Sequence, residues 1–189
     1  MVYSSLSLRR IAAPHLRLLR DRLNEPAFLA ILYHDELLFI DKKENRANPI
    51  SFGSIIGARR PPHFGVFGQV LMAYLPDNEI ERIMQRSPLV AFTKKTVATS
   101  HEFREVLRKV RQQGFAAEEE TAIEGFGGIA APVRDFSGRV VGALGVVFIS
   151  SLVKKKKLDR MIGVVLATAQ DVSRDQGYVV GEENMDRSR

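Results

Sequence analysis

Residues 127–145, GGIAAPVRDFSGRVVGALG, constrain the fold more than any other part of the chain. Two apolar runs flank Asp135-Phe136-Ser137-Gly138, whose polar side chains and closing glycine suit a reversing turn, so the segment reads as a β-hairpin. Glycine packs nothing and weakens a strand, yet Gly128 and Gly145 sit inside these two. With an even number of loop residues, Gly128, Ala130, Gly145 and Val147 share one face of the hairpin. Ile129, Val133, Leu144, Val146 and Phe148 then share the other. An odd loop or a bulge alters this assignment. The first face is poor in side chains. A dry void of about 100 Å³ left there would cost roughly 2–3 kcal/mol, at about 24 cal/mol per Å³. A closely packed helix, ordered water or a ligand can fill it.

The remaining elements follow from periodicity. SLSLRRIAAPHLRLLRDRLN carries Leu8, Ile11, Ala12, His15, Leu19 and Leu23 at helical spacing. Ser7 is a candidate cap, and Pro14 predicts a kink or a fresh start. AFLAILY and LLFIDKK are strand-like around a polar HDE turn, with ISFGSIIG as a third strand. FGVFGQVLMAYLP reads as a short buried helix stopped by Pro76, and Asp77 as the cap of DNEIERIMQR. Thr99 to Glu102 forms a capping box for a helix with Phe103, Val106, Leu107 and Val110 on one face, ended by Gly114. A strand over 115–121 precedes the hairpin. A last helix, about 156–176, buries Leu158, Met161, Ile162, Val165, Leu166, Ala169 and Val172. Meander groups of strands with helices set apart predict an α+β domain over residues 1–180, an antiparallel sheet of about six strands flanked by helices. GEENMDRSR, 181–189, reads as a disordered tail.

Several function classes find no support. A chain of 189 residues with 45% hydrophobic content suits one core. No apolar run reaches the roughly 20 residues of a membrane span, and the N-terminus shows no secretory pattern. There are no cysteines, which suits the reducing cytoplasm. The net charge of +6 is dispersed apart from Lys154 to Lys157. Four lysines oppose a helix macrodipole at its start, so they read as a solvated loop or frayed first turn. The four histidines have no partner at metal-ligand spacing. No nucleophile elbow or P-loop appears. Glu118 and Glu120 would share a side of a strand, with no nucleophile beside them. No enzyme activity, metal or cofactor is expected.

One segment adds chemistry. His63-Phe64-Gly65 precedes a helix whose first amides, at Val66 and Phe67, have no internal partner. Facing a cavity, they would donate to a carboxylate or carbonyl oxygen. Alternatively, Gly65 makes the turn and water serves the donors.

Three stretches, SLSLRRIAAPHLRLL, GARRPPHFGVFGQVLMAYLP and VRQQGFAAEEETAIEGFGGIAAPVRDFSGRVVGALG, together resemble the effector-binding domain of isocitrate-lyase-regulator-type (IclR) transcription factors. The resemblance spans about residues 4–178. It implies a GAF-like, profilin-like fold whose curved sheet and flanking helices enclose an effector pocket. In members that bind small keto acids, contacts come from the backbone at a helix start, a carboxylate, a cysteine and two serines. Carried over by motif, these fall on Val66 and Phe67, on Glu118 where Asp is typical, on Gly128, and on Gly145 and Val147. Phe64 and Gly65 complete the helix-start segment, and Ala130 lies on the same face. The departures are substantial. The cysteine and both serines are missing, Phe64, Val66 and Phe67 replace small residues, and Gln69 stands where Lys is common. Each lost donor to a charged oxygen removes roughly 1.5–3 kcal/mol of binding. The expected ligand is therefore bulkier or more apolar than a keto acid.

The resemblance further implies a ligand-sensing domain of a cytoplasmic regulator that forms a homodimer or homotetramer. DNA would be bound only through an N-terminal winged helix-turn-helix that these residues do not contain. The chain would then be an excised domain or a naturally truncated protein. The alternative is an oligomerisation or interaction module whose pocket is filled by Phe64, Phe67 and Phe126.

Overall fold

The first helix begins before Ser7 and runs through Pro14. It spans Val2–Leu23 (α1), so Ser7 lies inside it and no fresh start occurs. Pro14 sits on the exposed face, where the carbonyl that loses its amide partner meets water rather than core. In this computed structural model, residues 2–44 and 56–179 are described, with side chains from residue 6. Leu8, Ala12, Leu16, Leu19 and Leu23 form the buried stripe of α1. Leu16 takes the place expected for His15, which instead meets Asp175 at 2.7 Å.

Next come β1 (Ala27–Tyr33), β2 (Glu36–Lys43) and a two-residue β3 (Arg59–Arg60). Most of ISFGSIIG, expected as the third strand, lies at 45–55, outside the described residues, as does the 181–189 tail. The buried helix is α2 (Gly65–Ala73). The helix α3 (Asp77–Arg86) takes Pro76 as its N-cap, with Asp77 in its first turn rather than capping it. On α4 (Ser100–Gln113), Thr99 accepts the Glu102 amide and Gly114 closes the C-terminus in the left-handed region. The chain ends with β4 (Ala116–Glu119), β5 (Phe126–Arg134), β6 (Val140–Ile149) and α5 (Lys155–Asp175).

All strand pairs are antiparallel, in the order β3-β2-β1-β6-β5-β4. The hairpin of β5 and β6 supplies two of the four central strands. One face carries α1 and α5 over Ile129, Leu144, Val146 and Phe148. The other carries α2, α3 and α4 over Phe28, Phe39, Ala130 and Ala143. The hairpin parity emerges by cancellation. The pair Arg134 and Val140 closes an odd loop, and an irregularity next to Val133 restores the odd sums, so Gly128 faces Val147 and Ala130 faces Gly145. Asp135 holds the turn by accepting from the Ser137 amide and hydroxyl (2.9 and 2.6 Å) and the Arg139 amide (3.2 Å).

Lys154 is the N-cap of α5, and the next three lysines form its first turn. Their run is not merely solvated: Lys157 Nζ reaches Glu25 Oε1 at 3.2 Å, and Glu25 is buried. Burial raises the Glu25 carboxyl pKa above its ordinary value, and the Lys157 ammonium opposes that rise.

Candidate functional site

The start of α2 is set by a rigid approach. Phe64 donates its amide to the Pro61 carbonyl at 3.0 Å. Gly68 lets the helix lie directly on the Pro62 carbonyl, which any Cβ there would strike. Phe64 is the N-cap in extended conformation and provides no side-chain cap. The first-turn amides of Gly65, Val66 and Phe67 thus have no intrahelical acceptor, and Gly68 bonds back to Phe64 at 3.4 Å.

A cavity of about 60 Å³ lies between this helix start and the sheet. Phe28 of β1 and Phe39 of β2 form one wall, and Phe64 to Phe67 another. Glu118, Gly128 and Val147 contribute from β4, β5 and β6, with Phe126 beside them. The rings of Phe28, Phe39 and Phe67 meet edge to face at 5.4–6.1 Å, an arrangement that ring quadrupoles favour. Thr121, Ala122 and Ile123 close the cavity from the loop after β4.

Of the residues expected at the site, Phe64, Gly65, Val66, Phe67, Glu118, Gly128 and Val147 line this cavity. Ala130 and Gly145 do not. Ala130 is fully buried beneath α2, and the space beside Gly145 belongs to the backbone of β5, with the Ile129 carbonyl in the way of any Cβ. At Gly128 the missing side chain is replaced by Val66, whose Cγ2 lies 2.8 Å from where a Cβ would sit. The volume is well below the roughly 150 Å³ of apolar cavities that accept benzene. A pocket large enough for the bulkier ligand expected from the sequence is therefore not open in this conformation. Sequence reasoning missed Phe28, Phe39 and the 121–123 loop, because they join the wall through strand order and not through any local motif.

Glu118 is the one ionisable residue in the wall among the described residues. Its Oε2 accepts from Gln69 Nε2 at 2.7 Å and from the Thr121 hydroxyl at 2.6 Å. Gln69 is 6% exposed, and its Oε1 is buried without a partner. Glu120 does not share this side. It lies beyond β4 with φ 61° and pairs with Lys95, which holds its carboxyl pKa below the ordinary value. The hydroxyls of Thr93 and Thr96 tie down the loop through the carbonyls of Glu120 and Thr121, both at 2.6 Å.

Behind the helix start, His63 is buried and its Nε2 accepts the Val90 amide at 3.2 Å. Its ring stacks on Phe92 at 5.5 Å, and Phe92 meets Phe64 at 5.0 Å. Burial lowers the imidazole pKa below 6.5. As pH falls, the unfolded chain therefore takes up the proton first. The contribution of His63 is complete well above 6.5 and is lost as pH falls below it. Urea midpoints are expected to fall between about pH 7.5 and about pH 5.5, and His63→Gln to flatten that part of the profile. An unchanged slope in the variant would contradict this burial.

Among the described residues, no group of three or more His, Cys, Asp or Glu side chains could hold a metal. No helix there is long and apolar enough to cross a membrane.

The family model for the bacterial transcriptional regulator IclR C-terminal domain matches residues 1–174. The chain belongs to that family. Among curated IclR relatives, the Pca regulon regulatory protein of Pseudomonas putida is 29% identical over 170 residues, which is 89% of this chain and 58% of that protein. The chain thus spans somewhat over half the length of that relative. The C-terminal domain of the Escherichia coli transcriptional regulator KdgR superposes with a TM-score of 0.81 at 27% identity, covering 90% of this chain and 99% of the other. An IclR homolog from Microbacterium hydrocarbonoxydans, solved in complex with 4-hydroxybenzoate, gives 0.81 at 26% identity, covering 91% and 69%. The α+β architecture is that of IclR C-terminal domains, and the relatives named XynR and KdgR are transcriptional regulators.

Proposed function

We propose that the domain senses a small organic effector in the cavity between the start of α2 and the sheet, through Phe64 to Phe67, Glu118, Gly128 and Val147. The observation that carries this reading is the combination there of an apolar wall, one carboxylate and the open end of a helix. That the related Microbacterium protein was solved with an aromatic compound supports a ring-containing ligand. Entry requires the 121–123 loop and α2 to part, since about 60 Å³ cannot hold a ring. The Thr93 and Thr96 bonds set the resistance to that opening.

The response would pass through the sheet to α1, which is tied to the opposite face by Arg9 and Asp41 (4.0 Å) and by His15 and Asp175 (2.7 Å). In the whole regulator, α1 would lead to an N-terminal winged helix-turn-helix. Effector binding would then shift the geometry of a cytoplasmic homodimer or homotetramer on DNA. Different affinity for two states is all this requires.

A second reading has an observation of its own. Val66 occupies the space at Gly128 and phenyl rings crowd the remainder, as in an interaction module with a filled pocket. A thermal-shift screen with aromatic and aliphatic alcohols, amines and acids separates the two. A sensor at about 100-fold excess over Kd gains about 2.7 kcal/mol, or roughly 5–10 °C for a chain of this size. A panel that leaves every melting curve unmoved supports the filled pocket.

A further inference from the structure

The polar groups of the cavity also indicate which chemical class it selects. This step rests on the reading of the cavity as an effector site. Both donors to Glu118 go to Oε2, so Oε1 has no donor among the described residues. The Gln69 amide that holds Glu118 has a buried, unpartnered Oε1 of its own. Turning that amide over would set its oxygen against the carboxylate, so the assignment stands on chemistry. Glu118 thus offers the cavity an acceptor, while donors come from the backbone at Gly65, Val66 and Phe67.

Among the described residues, no lysine or arginine lines the cavity. Lys95 is paired with Glu120. The Arg60 guanidinium lies over the Phe64 ring at 5.8 Å. Lys42, 5.6 Å from the Phe28 ring, is paired with Glu44. A carboxylate ligand would therefore face Glu118 with no countercharge from the described wall, a repulsion that grows in a low-dielectric site. An ammonium has donors only and would meet the positive end of α2. A hydroxyl satisfies both sides: its proton goes to Glu118 Oε1 and its lone pairs accept from the α2 amides. The rest of the molecule lies against the rings of Phe28, Phe39, Phe64, Phe67 and Phe126.

We propose that the site selects an uncharged hydroxyl compound, a phenol or small aryl alcohol, and rejects carboxylates. The test is titration calorimetry on the full 189-residue chain with phenol, benzyl alcohol, benzylamine and benzoate. Phenol or benzyl alcohol is expected to bind at least about tenfold tighter than benzoate, the smallest gap that a hydrogen bond to a charged group supports. Glu118→Gln, which removes the charge and adds a donor, is expected to close most of that gap. Benzoate or benzylamine binding as tightly as the alcohols overturns hydroxyl selection while leaving the cavity an effector site. A gap unchanged in Glu118→Gln overturns the role of Glu118. If none of the four binds, hydroxyl selection falls, and the sensing reading falls with it only if the broader screen is also silent.

Discussion

Phe28→Ala is expected to lower the unfolding free energy by about 3–5 kcal/mol, the range for removing a buried phenyl group. Phe28 is 1% exposed and is held edge to face between Phe39 and Phe67. It lies in the sheet, so the backbone cannot collapse inward to close the gap. The new void joins the existing cavity of about 60 Å³ and grows toward the roughly 150 Å³ that admits benzene. The melting temperature should drop by roughly 6–20 °C. The same substitution should make the variant more responsive than the parent to phenol, because the ligand restores contacts that the mutation removed. Urea denaturation measures the loss and thermal shift measures the recovery. A loss below about 1 kcal/mol would mean that the three rings are not packed as described.

Gly145→Ser is expected to cost about 3 kcal/mol, the upper end of ordinary overpacking, and to add no ligand contact. The family resemblance puts a serine here in keto-acid-binding members, so restoring it looks conservative. The backbone says otherwise. A Cβ on Gly145 would run into the Ile129 carbonyl oxygen and lie 2.8 Å from the Ala130 Cα. Neither atom can yield without parting β5 from β6, the pair on which both apolar layers rest. Val147→Ser is the matched control: Val147 lines the cavity, so its hydroxyl would enter open space at a smaller cost. Equal urea midpoints for the two variants would contradict the close approach at Gly145.

Much of the site was legible because it follows local rules. The amphipathic spacing of α1, α4 and α5, the Thr99 cap and the Asp135 turn are all short-range physics. The alternation that groups Gly128 with Ala130, and Gly145 with Val147, also follows from the pleat alone. The hairpin shows the limit: its odd loop and its irregularity next to Val133 each invert the alternation, and only together do they restore it. Nor does a helical pattern reveal that Pro14 would face solvent and be tolerated inside α1. Glu118 and Glu120 parted because β4 ends at Glu119 and the chain turns with positive φ at Glu120, a turn that alternation along the strand does not encode.

By itself, the sequence determined an α+β domain of IclR type, the backbone donors at the start of α2, and a hairpin face stripped of side chains. Only the tertiary structure decided what filled the stripped positions. Gly128 received Val66 from α2, Gly145 received the backbone of its own partner strand, and the cavity came to lie beside them under Phe28 and Phe39. The reason is physical: a missing side chain specifies a vacancy, but the atoms that enter it arrive from strands and helices distant in the chain. Strand order and close packing choose among them.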